Sequence, residues 1–129
     1  MRAFKRSQRI ADQIQRDAAE IIAAMMQDRA GPMVTVSAAE VTDDLRYARI
    51  FYTVLGDSDS LERAKRILDR STGFIQSELA HRLPLRRVPE ISFHYDEALV
   101  KGMRVISLID SVVPKPEEDD EAADPTTDN

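Results

Sequence analysis

The sequence has no cysteine, no tryptophan and only four glycines in 129 residues. Lack of cysteine excludes a disulfide scaffold, a thiol nucleophile and any zinc site built on thiolates, and it fits a reducing cytoplasm. Histidine is nearly as scarce. His81 and His94 are the only two, and neither sits in an H-E-x-x-H run or beside a serine nucleophile motif. His94 and Asp96 share one side of a predicted strand, but two ligands do not make a metal site. His81 falls near a helix end, where a cation suits the C-terminal dipole. With no Gly-rich phosphate loop either, the chain offers no catalytic residue, and no metal or other cofactor is expected. Long apolar runs are also missing. The basic N-terminus is not followed by the stretch that a signal peptide or membrane span needs, so the expectation is a soluble cytoplasmic protein without a membrane partner.

What is present is charge, unevenly placed. The formal net charge is −5. Residues 1–110 hold 17 Lys/Arg against 16 Asp/Glu, a balance of +1, whereas residues 111–129 hold one lysine and seven acids, a balance of −6. The acidity therefore belongs to the tail, and the body must be judged by where its basic residues lie. From Pro114 onward a Pro- and acid-rich run has too little apolar surface to offset the entropy of ordering. The expected division is a folded domain over residues 1–110 and an acidic disordered tail over residues 111–129. The tail either keeps the chain soluble or covers a basic surface until a polyanion displaces it.

Apolar spacing supplies the elements. Ile10, Ile14, Ala18, Ile21, Ile22 and Met25 predict a long first helix ending near Asp28-Arg29, ahead of Gly31-Pro32. Residues 33–38 and 45–55 predict an antiparallel hairpin, with Asp43-Asp44 supplying turn chemistry. Residues 56–60 form a polar turn ending in good helix caps. Leu61, Ala64, Leu68, Thr72, Ile75, Leu79 and Leu83 then recur at spacings of three or four, one helical face that runs straight through Gly73. Glycine inside a helix costs about 1 kcal/mol relative to alanine, which points to a bend or a close approach by another molecule. Pro84 halts the second helix, and residues 90–95 alternate as a strand that returns in parallel by a right-handed crossover. Leu99, Val100, Met103 and Ile106 suggest a last short helix. The order is α-β-β-α-α-β, a three-stranded mixed sheet with helices packed on one face.

Four segments in sequence carry a resemblance: Val41-Thr42-Asp43-Asp44-Leu45-Arg46-Tyr47-Ala48, Ser71-Thr72-Gly73-Phe74-Ile75, Val88-Pro89-Glu90-Ile91-Ser92-Phe93, and Leu99-Val100-Lys101-Gly102-Met103-Arg104. With them the chain resembles the ribosome-binding factor A family over about residues 5–110. The resemblance implies an α+β, type II KH-like domain, α-β-β-α-kink-α-β. In it a small-x-Gly bend, here Ser71-Thr72-Gly73, replaces the GxxG loop of other KH domains. No two glycines of this chain are three apart. The resemblance further implies a non-catalytic, monomeric assembly factor that binds the free or immature 30S subunit and its 16S rRNA. It implies help in late 16S rRNA maturation, including 5′ end processing, importance in cold adaptation, and work alongside other small-subunit assembly factors.

The chemistry such a fold offers is phosphate binding, for which three basic features are candidates. Arg2, Lys5, Arg9 and Arg16 fall on one side of the first helix, opposite its apolar face; alternatively Arg2 to Arg6 precede the helix as a basic arm, with Ser7 as the cap. Arg16 has Glu20 as a partner one turn on. Arg63, Arg66 and Arg70 face away from Leu61, Ala64 and Leu68 and lead toward the bend. Arg82, Arg86 and Arg87 form the third cluster. Between them Ser71, Thr72 and Gly73 would present backbone N–H groups at the next helix start. The predicted RNA contacts are thus Lys5, Arg6, Arg9, Arg16, Arg63, Arg66, Arg70, Ser71, Thr72, Gly73, Arg82, Arg86 and Arg87, with Ser71→Ala expected to be nearly silent. Phe51, Tyr52, Phe93 and Tyr95 read as core or edge packing, which favours recognition of RNA shape over base reading. A general KH-type RNA binder and a protein–protein adaptor are the alternatives.

Overall fold

The computed structural model describes residues 6–102, and the chain divides after Asp96. The first unit runs α1 (Arg6–Asp28), β1 (Val34–Val41), β2 (Tyr47–Val54), α2 (Ser58–Arg70), α3 (Thr72–Arg82) and β3 (Glu90–Tyr95). The sheet order is β1-β2-β3, with β1 antiparallel and β3 parallel to β2. This is the α+β, type II KH-like arrangement with a three-stranded mixed sheet. Strand alternation sends Val34, Val36, Ala48, Ile50, Tyr52 and Ile91 into one core with Ile14, Ala18 and Ile22 of α1 and with Ala64, Leu68, Ile75 and Leu79 of the helix pair. Of the predicted apolar face, Ala64, Leu68, Ile75, Leu79 and Leu83 are buried, while Leu61 and Thr72 are half-buried.

Local chemistry sets the boundaries. Between β1 and β2 the Asp44 carboxylate accepts from Thr42 Oγ1 (2.7 Å) and from the Arg46 N–H (3.1 Å), which holds its carboxyl below the usual range. Asp57 caps α2 by accepting the Ser60 N–H at 3.0 Å, and its carboxyl is lowered for the same reason. At the end of α1, Ala30 takes φ 52° and the Gly31 N–H reaches the Met26 carbonyl at 2.7 Å, a left-handed helix stop. A Cβ on Gly31 would lie 2.7 Å from Met26 Sδ and 3.1 Å from Ile67 Cδ1, so the tight approach at a glycine lies here, where the end of α1 meets α2 and a side chain would have to push these two aside. β3 is clipped to α3 by Gln76, whose amide donates to the Pro89 carbonyl (2.6 Å) and accepts the Ile91 N–H (3.1 Å).

Two expectations are corrected. Ser7 is not a cap: it lies inside α1, is buried, and donates its hydroxyl to Asp43 Oδ1 at 3.2 Å. The helical break falls at Ser71, the first residue of the expected Ser71-Thr72-Gly73 bend, and Gly73 itself does not break the helix. Ser71 has φ −104° and ψ 5°, closing α2 and opening α3, whereas Gly73 sits in the first turn of α3. The bend also begins in side-chain competition: Thr72 Oγ1 donates to the Leu68 and Asp69 carbonyls (3.1 and 3.3 Å), taking the acceptors that a continuing helix would use.

In the second unit residues 97–102 are helical. Met103, Ile106, the boundary expected near residue 110 and the acidic stretch 111–129 lie outside the described residues, as do Arg2 and Lys5. Among the described residues no helix is long and apolar enough to cross a membrane.

Candidate nucleic-acid interface

The break between α2 and α3 leaves a helix start with unusual chemistry. A serine at such a start normally turns its hydroxyl onto the N–H groups of the first turn. Ser71 cannot, because its backbone is not extended, and α3 has no side-chain cap. Instead its own N–H is shared between the Ile67 and Leu68 carbonyls (3.0 and 3.1 Å), and its hydroxyl, 2% exposed, accepts a hydrogen bond from Arg29 Nη1 at 2.9 Å. Arg29, just past the end of α1, thereby fastens α1 to the α2–α3 junction. The first-turn N–H groups of α3 carry the positive end of the helix dipole. Beside them Gly73 is exposed, and a Cβ there would meet nothing within 4 Å. A phosphate-sized group can approach the backbone at this point.

The predicted cations separate into those free for a partner and those already engaged. Arg63, Arg66 and Arg70 are all exposed, and among the described residues none forms an ion pair. At about 100° per residue they lie within about 60° of one another on α2, well away from buried Ala64 and Leu68. They lead straight to the uncapped start of α3. Arg86 and Arg87 are likewise exposed and unpaired in the loop before β3. On α1, Arg6 and Arg9 are exposed; Arg16 donates to Gln13 Oε1 (2.8 Å) and not to Glu20.

Arg82 departs from the expectation. Its guanidinium pairs with Glu20 at 2.8 Å and with Asp17 at 3.7 Å, and these carboxylates hold it protonated. It clasps α3 to α1 and is not available with Arg86 and Arg87. Ser71 and Thr72 also turn their hydroxyls to protein groups, so of the three bend residues Gly73 is the exposed one. Arg29 was missed because nothing local marks it: its partner is 42 residues away.

The aromatics divide by strand parity. Tyr52 is buried against Tyr95 (ring centroids 6.0 Å), and burial, reinforced by the Asp69 and Glu62 charges, pushes its hydroxyl up to about 12. Phe51 points to the opposite sheet face, half-buried beside His94 at 5.5 Å, and His94 Nε2 lies 2.8 Å from Ser92 Oγ. Phe74, absent from the candidates, is 49% exposed on α3. Among the described residues no group of three or more His, Asp or Glu side chains could hold a metal ion.

Comparison with known proteins accords with this architecture. The family model described as ribosome-binding factor A matches residues 6–109. The ribosome-binding factor A of Chromohalobacter salexigens is 45% identical over 115 residues, covering 88% of each chain. Among solved structures, the crystal structure of ribosome-binding factor A from Thermus thermophilus superposes with a TM-score of 0.59 at 24% identity, over 69% of this chain and 93% of that one. A homology model of the Thermus thermophilus factor, fitted into a cryo-EM map of a 30S complex with it, gives a TM-score of 0.55 at 24% identity, over 65% of this chain and 88% of that one.

Proposed function

Because this chain belongs to the ribosome-binding factor A family, we propose that it binds the free or immature 30S subunit and contacts 16S rRNA through the α2–α3 bend. Its role is that of a non-catalytic, monomeric cytoplasmic assembly factor. It assists late 16S rRNA maturation, including that of the 5′ end, acts alongside other small-subunit assembly factors, and matters most for growth in the cold. The observation that carries this reading is the unpaired Arg63, Arg66 and Arg70 stripe running into an uncapped helix start at an open Gly73. Guanidinium groups neutralise phosphates while the bare N–H groups and the glycine admit the RNA backbone, a combination that positions folded RNA without reading bases. Arg86 and Arg87 extend the contact, and Lys5, Arg6 and Arg9 supply a further basic region. A 30S complex of a relative supports the choice of partner.

Sucrose-gradient sedimentation of purified chain with 30S subunits at rising salt tests the reading. Co-migration should fall steeply with salt through counterion release, and Arg63→Ala, Arg66→Ala and Arg70→Ala should each lower the log–log slope by about one. A salt-insensitive complex, or no co-migration with 30S subunits at low salt, contradicts it.

A further inference from the structure

α1 and α3 lie side by side, fastened at both ends by arginines: Arg82 to Glu20 and Asp17 at one end, Arg29 to Ser71 at the other. Between these clasps runs a groove of about 400 Å³ with an apolar floor that includes Ala24 and Met25, edged by half-exposed Phe74. Its rim carries Asp28 and Glu78. Arg82 is answered by Glu20 and Asp17, with the Glu78 charge nearby, whereas Arg29 bonds only the neutral Ser71 hydroxyl and keeps its charge at the groove. Three lining carboxylates, Glu20, Asp28 and Glu78, stand against these two guanidiniums, and among the described residues neither Asp28 nor Glu78 forms an ion pair. The surface is therefore apolar in its centre with a rim of mixed charge and a net acidic excess of one, unlike the cationic face of α2.

We propose that this groove docks a short extended polypeptide segment rich in Lys and Arg, carried by a protein of the small subunit. Charge complementarity selects the occupant. A nucleic-acid backbone would bring phosphates against Asp28 and Glu78, whereas a lysine or arginine answers both carboxylates and an aliphatic neighbour covers Phe74 and Met25. Size agrees: nine helical steps from Glu20 to Arg29 span about 14 Å, the length of about four extended residues. Proteins that sit on RNA are rich in such segments, because neutralising phosphate is their task. The inference rests on the 30S reading for where the partner is met, but the chemistry of the groove is separate from the RNA-facing arginines. The chain would then hold the subunit by two unlike contacts, one to RNA and one to protein.

Photo-crosslinking tests it with the full chain carrying p-benzoylphenylalanine in place of Phe74, bound to immature 30S subunits. The expected adduct survives RNase, is destroyed by protease, and maps to a Lys/Arg-rich segment of a subunit protein. Asp28→Asn with Glu78→Gln should lower its yield at least about fivefold while leaving the salt slope of subunit binding unchanged. Adducts to nucleotides, to a second copy of this chain, or none from bound subunits overturn the proposal. A ribosome-free arm keeps it apart from the 30S reading. In NMR titrations of the wild-type chain, an acetylated Lys-Leu-Arg-Lys peptide should shift Ala24, Phe74 and Glu78, and Glu-Leu-Glu-Glu should not. Equal shifts from both peptides, larger shifts from guanosine monophosphate, or no shifts overturn it.

Discussion

Replacing Arg29 by alanine strips a buried hydroxyl of its partner, while replacing Ser71 by alanine removes the hydroxyl itself, and the two should not cost the same. Ser71 Oγ is almost fully enclosed and has the Arg29 guanidinium at 2.9 Å as its one side-chain partner among the described residues. In Arg29→Ala the hydroxyl stays desolvated without that bond, a penalty of about 1–3 kcal/mol. In Ser71→Ala the guanidinium, at the rim, recovers water, so the loss is the net value of one hydrogen bond, about 1 kcal/mol. The single costs should therefore rank Arg29→Ala above Ser71→Ala, and adding Ser71→Ala to Arg29→Ala should restore stability by about 1 kcal/mol. This revises the expectation that Ser71→Ala is nearly silent. Urea unfolding followed by helical circular dichroism measures it, with a midpoint shift at constant slope; in thermal scans each kcal/mol moves the midpoint by roughly 4 °C. Additive single effects, or a Ser71→Ala protein less stable than Arg29→Ala, would refute the reasoning.

Three further outcomes follow from named geometry. Ala30→Gly relieves a left-handed alanine and should raise stability by about 1 kcal/mol in the same urea assay. Gly73→Ala should leave stability equal or improved by up to about 1 kcal/mol, since nothing stands where its Cβ would go, yet it should weaken 30S co-sedimentation; full binding by a stable Gly73→Leu protein would remove the open approach at Gly73 from the mechanism. Tyr52 keeps its proton in the folded state up to about pH 12 but loses it near its ordinary value when unfolded. Its contribution is thus complete below about pH 10 and declines as pH rises toward 12; Tyr52→Phe should flatten the alkaline limb of a stability–pH curve.

Most of the frame was legible because it depends on local periodicity. The buried Ile14, Ala18 and Ile22 repeat every three to four residues, and Asp57 precedes α2 as caps do. Of the aromatics read as core or edge packing, Tyr52 is buried, while Phe51 is half-buried on the opposite sheet face. The stripe of Arg63, Arg66 and Arg70 could be read from spacing alone, since each side chain ends in solvent. The rest depends on partners distant in the chain. Nothing near Arg82 tells that Asp17 and Glu20 will meet it, and nothing near Ser71 tells that Arg29 will. Within the Ser71-Thr72-Gly73 bend, spacing points to Gly73 as the break because glycine is the weak point of helices. The hydroxyl of Thr72 and the backbone of Ser71 place it two residues earlier.

Parallel pairing of β2 with β3 joins Tyr47 to Glu90 across the whole helix pair, whereas the β1–β2 hairpin closes through a short turn. During folding the hairpin can zip early, but β3 must wait for α2 and α3 to bring it home, since long loops delay their reward. The Gln76 clip then belongs to the last step. Weakening it as Gln76→Ala should hasten unfolding far more than it slows folding, a low φ-value that stopped-flow measurement can read.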